Sequence, residues 1–228
     1  MLPAIMITNA LLNAYYTSIQ QETPANFKEK LGALYLSDEP FLKKIKQLDL
    51  LIEEFKLQDD VGELVFDVLL YNFFSEDSQR LGESFFESKE WEQIESSIIE
   101  RGTEMMNLML YLSECNDSNI ESSLDDYLDE YLTGEEDFDT EEFEVYEAII
   151  KNRDAIVEGD LKTIVEIAEK NSNSMLFDQL LPIMVFFETQ SEVDEKFETI
   201  RQSGTNPSFQ NAFLAVLLEL NKIKVNLN

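Results

Sequence analysis

The chain has 228 residues, of which 44% are hydrophobic, and it carries a formal net charge of −30 with no histidine. This length and composition allow a sizeable core and argue against wholesale disorder. The charge argues against direct binding to nucleic acid or to anionic membranes, because both would repel so acidic a chain. A charged partner is therefore predicted to be basic.

Start and stop signals divide the chain into about ten predicted helices. The first spans residues 3–20. Thr23, followed by Pro24, is predicted to cap the second helix. Residues 41–55 form an amphipathic run, and Asp59 and Asp60 are predicted to cap the apolar helix that follows.

The middle of the chain contains three further signals. Ser75 is predicted to cap a short helix, and Ser88 to cap a long helical run over Lys89–Cys115. Gly102, near the middle of that run, is predicted to be its break point.

The last third is predicted to form two helix pairs, over residues 158–190 and 191–224, with a recurrence of roughly 35–40 residues. The predicted fold is all-α, either an antiparallel helical bundle or a repeat-like array of helical hairpins. A single domain over residues 1–228 is expected. A sub-boundary near 133–140 would separate an N-terminal bundle (1–132) from C-terminal hairpins (141–228).

Half of the net charge is concentrated in residues 102–150, the acidic block, which contains 16 acidic side chains and no Lys, Arg or His. Around Tyr127 the apolar residues recur at helical spacing, which places the acids on the opposite face. The block is either a solvated face or a rigid binding surface. In the second case the predicted partner-binding residues are Asp125, Asp126, Tyr127, Asp129, Glu130, Tyr131, Glu135, Glu136, Asp137, Phe138 and Asp139, the aromatic ones only if exposed.

The absence of histidine excludes several kinds of catalytic site. Without histidine there is no Ser-His-Asp or Cys-His site, and one cysteine, Cys115, rules out a cysteine-based zinc site. We therefore expect no enzymatic activity and no cofactor. The spacing of four acids resembles the paired carboxylates of all-α, magnesium-dependent nucleotide pyrophosphohydrolases: Glu92, Glu95, Glu114 and Asp117.

The sequence predicts a non-enzymatic acidic protein that binds and inhibits a basic nuclease, toxin or nucleic-acid-binding enzyme. An immunity protein and a decoy that mimics nucleic acid both fit. The first alternative is an intracellular helical-repeat scaffold that binds its partner through the C-terminal hairpins. A more distant alternative is a magnesium-dependent, all-α nucleotide pyrophosphohydrolase. The single cysteine, the short apolar runs and an N-terminus without a basic signal region predict a cytoplasmic protein.

Overall fold

The computed structural model describes residues 3–77, 82–128, 151, 153–157, 161–171 and 175–225. All regular secondary structure in these ranges is helical, which confirms the all-α prediction. The α-helices are α1 (Pro3–Ser18), α2 (Ala25–Leu36), α3 (Phe41–Phe55), α4 (Asp59–Asn72), α5 (Lys89–Arg101), α6 (Glu104–Asp117), α7 (Leu124–Tyr127), α8 (Leu161–Asn171), α9 (Met175–Phe187), α10 (Val193–Ser203) and α11 (Pro207–Val225). A π-helical turn (Phe73–Asp77), a 3-10 turn (Glu83–Phe85) and a helical turn at 153–157 complete the described elements.

Two predicted features around α5 are confirmed. The Ser88 hydroxyl accepts a hydrogen bond from the Trp91 amide at 3.1 Å, so Ser88 caps α5. The long run is broken at Gly102, where Thr103 begins a new helix by accepting from the Met105 amide at 3.2 Å. The break is stable because Thr103 accepts a hydrogen bond from one of the free backbone amides in the first turn of the new helix.

Two other predicted caps are wrong. Asp59 and Asp60 lie in the first turn of α4, whose N-cap residue is Gln58, and no side chain caps this helix. Ser75 lies within the π-helical turn and donates its hydroxyl to the Tyr71 carbonyl at 2.7 Å, and residues 78–81 of the short helix predicted after it lie outside the described residues. Pro24, not Thr23, is the N-cap residue of α2, and no side chain caps that helix. The Thr23 hydroxyl is directed to α1, where it donates to Asn13 Oδ1 at 3.3 Å. Short hydroxyl side chains have several local backbone partners to choose from, which limits such predictions.

The core is organised around the two helices nearest the ends of the described chain. α1 packs along the length of α11, and both contact α4. α4 is buried on nearly all sides through Leu64, Val65, Phe66, Val68 and Leu69, as expected of a helix that is apolar all round. α6 packs against α4, α9 and α11 on the same core.

The predicted C-terminal helix pairs are present as α8 with α9 and α10 with α11, and each pair is in contact. α9 and α10 also contact each other and α11. The predicted sub-boundary near 133–140 lies outside the described residues. No helix in the described ranges combines the length and apolar character needed to cross a bilayer.

Gly102 is held too tightly for a side chain, so we expect Gly102→Ala to lower the free energy of unfolding by about 1–3 kcal/mol. A Cβ atom there would lie 2.7 Å from the Ile98 carbonyl oxygen. Gly32→Ala is the matched control, since a Cβ in α2 would meet Ile5 at 3.9 Å, an ordinary contact. Alanine favours helix there and should raise stability by about 0.5–1 kcal/mol. Urea unfolding measures both; equal effects would contradict the close contact.

Candidate partner-binding surface on α6 and α7

α6 and α7 run side by side in opposite directions. The Tyr111 hydroxyl accepts from the Ser123 amide at 2.9 Å and donates to the Ser123 carbonyl at 3.1 Å. One turn further on, the Tyr127 hydroxyl donates to Glu104 Oε2 at 3.1 Å, at the other end of α6. The chain therefore folds back after α6. As a result α7, which also belongs to the acidic block, lies alongside α6.

The inner face of this hairpin is apolar and aromatic. The rings of Tyr111 and Tyr127 lie 5.5 Å apart, and Leu124 and Leu128 are buried on the same side. Burial raises the pKa of the Tyr111 phenol, so it remains a neutral donor at ordinary pH. The predicted apolar stripe of this helix is thus confirmed over residues 124–128, and it holds the acids on the outer side.

Tyr127 itself is fully buried, with its ring 6.4 Å from that of Phe187 on α9. Its proposed contact with a partner depended on exposure, which the fold does not provide. Tyr127 is a core residue that orients α7. The predicted partner-binding residues Asp129, Glu130, Tyr131, Glu135, Glu136, Asp137, Phe138 and Asp139 lie outside the described residues.

The outer side of α6 and α7 presents carboxylates to solvent. Four of them are exposed and, among the described residues, none of these four forms an ion pair within 4.0 Å: Glu114, Asp117, Glu121 and Asp126. We call these four residues the acidic edge. Glu114 and Asp117 sit in the last turn of α6, at the negative end of its dipole, where acids are unfavourable by about 0.3–1 kcal/mol each.

Asp125 differs from these four because it has a cationic neighbour. Arg153 Nε lies 3.3 Å from Asp125 Oδ1, with both side chains partly exposed. Asp125 lies before residues 129–150 and Arg153 lies after them, so the two points where that segment joins the described fold are adjacent. An exposed pair of this kind stabilises by no more than about 1 kcal/mol.

The candidate magnesium ligands are not brought together. Glu92 and Glu95 are exposed on α5, and Glu114 and Asp117 are exposed on α6. The chain does break at Gly102, as the paired-carboxylate arrangement requires. Even so, the described residues contain no group of three or more acidic or other ligating side chains placed to hold a metal ion. Cys115 is buried.

The fold also forms a concave site that was not predicted from the sequence, on helices outside the acidic block. A groove of about 530 Å³ lies between α1, α10 and α11. Its local signal is the pair of small residues Ala10 and Ala14, one helical turn apart on α1, together with Ala215 on α11. Small residues at helical spacing leave room beside a helix, but the sequence alone does not show which helix stands opposite.

Comparison of the chain with protein families, with curated proteins and with solved structures finds no match.

Proposed function

We propose that this protein is a non-enzymatic inhibitor that binds a basic protein through the acidic edge and the rest of the acidic block. The observation that carries the proposal is the complete exclusion of cations from residues 102–150, against 16 acids. A surface that serves only solubility usually mixes both signs of charge. Where side chains of the block are described, the acidic edge is exposed and forms no ion pair with another described residue.

The positions of the acids support binding over stability as the reason for their presence. Glu114 and Asp117 occupy the end of α6 at which an acid opposes the helix dipole. The hairpin formed by α6 and α7 is held by buried aromatic contacts, so its outer charges are presented on an ordered support. A preorganised surface of this kind loses little conformational entropy when a partner binds.

Such a surface suits a partner that normally binds nucleic acid. Carboxylates on one face of a helix recur about every 6 Å, close to the spacing of phosphates along a strand. Their field would accelerate the approach of a basic protein and make the association rate sensitive to salt. The partner class is therefore a nuclease, a toxin or another nucleic-acid-binding enzyme, with the protein acting as an immunity protein or a nucleic-acid-mimicking decoy.

Capture of partners from an extract of the native host tests this proposal, with a variant in which Glu114, Asp117, Glu121 and Asp126 are changed to Lys. We expect the affinity for the captured basic protein to fall by about tenfold at low salt, mainly through the association rate. Stopped-flow mixing measures that rate directly. The substitutions lie on exposed positions, so circular dichroism should remain unchanged.

The matched control changes four exposed acids outside the block, Glu29, Glu53, Glu92 and Glu95, to Lys. It alters the net charge by the same amount on α2, α3 and α5. Equal losses in the two variants would show that net charge alone attracts the partner. If neither variant loses affinity, the acidic edge is a solvated face, and the scaffold alternative, with binding at the C-terminal hairpins, takes its place.

A further inference from the structure

A second concave site lies beside the acidic edge. It is a pocket of about 380 Å³, bounded by the end of α4 with its π-helical turn, by α6, by the C-terminal part of α11 and by the first residue of α1. Its volume falls within the range of about 300–1,000 Å³ typical of ligand pockets. Asp117 belongs to the acidic edge and also lines the pocket, so the two form one continuous surface.

The lining of the pocket carries one sign of charge. Among the described residues that line it, Asp117 is the one charged side chain, and it is exposed and forms no ion pair with a described residue. The polar residues beside it, Ser75, Ser113 and Asn116, are partly buried and uncharged. A carboxylate at the mouth of such a pocket attracts cations and repels anions, and the net charge of −30 acts in the same direction. The lining therefore selects a cationic group.

The hydroxyl groups in the pocket favour a ligand that donates hydrogen bonds. Ser75 Oγ donates its hydrogen to the Tyr71 carbonyl at 2.7 Å, and Ser113 Oγ donates to the Tyr71 hydroxyl at 3.4 Å. A serine hydroxyl whose hydrogen is directed to a protein group has only its lone pairs to offer a ligand. The ionised carboxylate of Asp117 is likewise an acceptor and not a donor.

The rest of the lining is apolar and includes two aromatic rings. Tyr71 and Phe74 are both partly buried there. The aliphatic surface beside them comes from Leu110, Leu220 and Ile223. Aromatic faces attract cations and stack on a planar guanidinium, while aliphatic side chains cover the methylene stem of a long basic residue. Phe74 and Ser75 also belong to the π-helical turn, an element that is rare in proteins and frequent at functional sites.

We infer that this pocket receives an arginine side chain of the basic partner, with its guanidinium at Asp117 and its stem against Leu220 and Ile223. Arginine fits better than lysine, because its planar group carries five donors and no acceptor and stacks on aromatic rings, whereas the lysine ammonium is compact and strongly hydrated. The inference rests on the proposed function for the partner and adds a concave anchor to it. Arginines seated in such pockets carry a large share of the binding energy at many interfaces.

A nuclear magnetic resonance titration of the whole chain tests the pocket with three blocked amino acids. N-acetyl-arginine methylamide should bind saturably and shift the backbone amide resonances of residues 71–75, 113–117 and 220–223. The lysine analogue has the same charge and should bind about threefold more weakly. The citrulline analogue has nearly the same shape without the charge and should bind about tenfold more weakly. Equal affinities for the arginine and lysine probes, or no saturable binding of the arginine probe, would overturn the inference.

Three variants locate the arginine probe. Ser113→Leu fills part of the pocket without changing the charge and should abolish saturable binding. Asp117→Asn should weaken the probe about threefold, as expected for an exposed charge. Asp38→Asn makes the same change at an exposed position between α2 and α3 and should leave the affinity within about twofold. Circular dichroism checks that each variant is folded. Unchanged binding in folded Ser113→Leu, or equal losses in Asp117→Asn and Asp38→Asn, would contradict the assignment.

The captured basic protein separates this inference from the proposed function. Ser113→Leu leaves all 16 acids of the block in place, so it should raise the dissociation rate of the complex about tenfold and leave the association rate unchanged. A partner that loses affinity when the acidic edge is changed to Lys, but not in Ser113→Leu, would support the proposed function and overturn the arginine pocket. If the arginine probe binds in the pocket but no basic protein is captured, the proposed function fails and the arginine site stands.

Discussion

Lys196→Met should lower the free energy of unfolding by about 3–5 kcal/mol, because it leaves a buried carboxylate without its cation. Lys196 on α10 is buried, and its Nζ lies 3.8 Å from Oε2 of Glu188, whose side chain is also fully buried. A loss of this size is a large part of the ~5–15 kcal/mol that stabilises a typical domain.

The same ammonium group also satisfies the end of α9. It donates to the backbone carbonyl of Glu188 and to that of Phe186, the latter at 3.3 Å. Glu188 in turn accepts from the amides of Gln190 and Ser191 at 2.7 and 3.1 Å. The pair therefore holds the turn that joins α9 to α10. Burial lowers the pKa of Lys196, and the nearby Glu188 carboxylate opposes that shift.

The control for this substitution is Lys43→Met, since Lys43 forms an exposed ion pair with Glu39 at 2.7 Å. An exposed pair contributes about 0–1 kcal/mol, so Lys43→Met should have a small effect. The double variant Lys196→Met with Glu188→Gln should lose less than the sum of its single changes, because no uncompensated charge remains. Urea unfolding of Lys196→Met, Glu188→Gln, the double variant and Lys43→Met measures these effects. Similar losses for Lys196→Met and Lys43→Met would refute the role of the buried pair.

The second large effect is expected at Asp67, a carboxyl that is fully buried on α4. Its Oδ2 accepts from the Thr103 hydroxyl at 2.5 Å, but its Oδ1 has no partner in the described fold. Burial raises the pKa of Asp67 well above its usual range, with the Thr103 bonds and Arg101 acting in the opposite direction and Glu63 adding to the increase.

At a pH above the folded-state pKa of Asp67, we expect Asp67→Asn to raise the free energy of unfolding by about 1–3 kcal/mol, because the amide has the same shape without a charge to bury. Its oxygen can still accept from Thr103, which caps α6. Urea unfolding of the wild type and the variant at the same pH measures the difference.

The pH dependence provides a second measurement of Asp67. Its folded-state pKa is above its unfolded one, so the folded state binds the proton more tightly. Its stabilising contribution is complete below the unfolded pKa of about 3.9 and is lost as the pH rises through the folded pKa. The advantage of Asp67→Asn should therefore shrink as the pH is lowered from 8 toward about 5, and comparison of the two proteins cancels the general repulsion among their acids.

Asp49→Asn is the control for Asp67→Asn, because Asp49 is half-exposed and bonds to Arg101 at 3.0 Å. Removal of that exposed pair should cost no more than about 1 kcal/mol. A pH-independent difference between Asp67→Asn and the wild type would mean that Asp67 does not bind a proton more tightly in the folded state.

The sequence alone determined that the fold is all-α, and it determined the apolar side of the helix around Leu124. Residues within one or two turns of each other produce the cap at Ser88, the break at Gly102 and the stripe through Leu124. Local interactions of this range can be identified without the fold. The concentration of acid between residues 102 and 150, on which the proposed function depends, is likewise a property of the sequence.

The tertiary structure decided which apolar faces meet, because periodicity shows that a face is covered but not by which helix. Ser18 and Asn211 are 193 residues apart and share a hydrogen bond, which creates the base of the groove. Spacing placed Tyr127 on an apolar stripe, but only the return of α7 along α6 shows that the stripe faces Phe187 in the core. The burial of the Asp67 carboxyl and of the Lys196 ion pair also depends on tertiary structure. In both cases water is excluded only when helices that are distant in sequence, or separated by a turn, pack against each other.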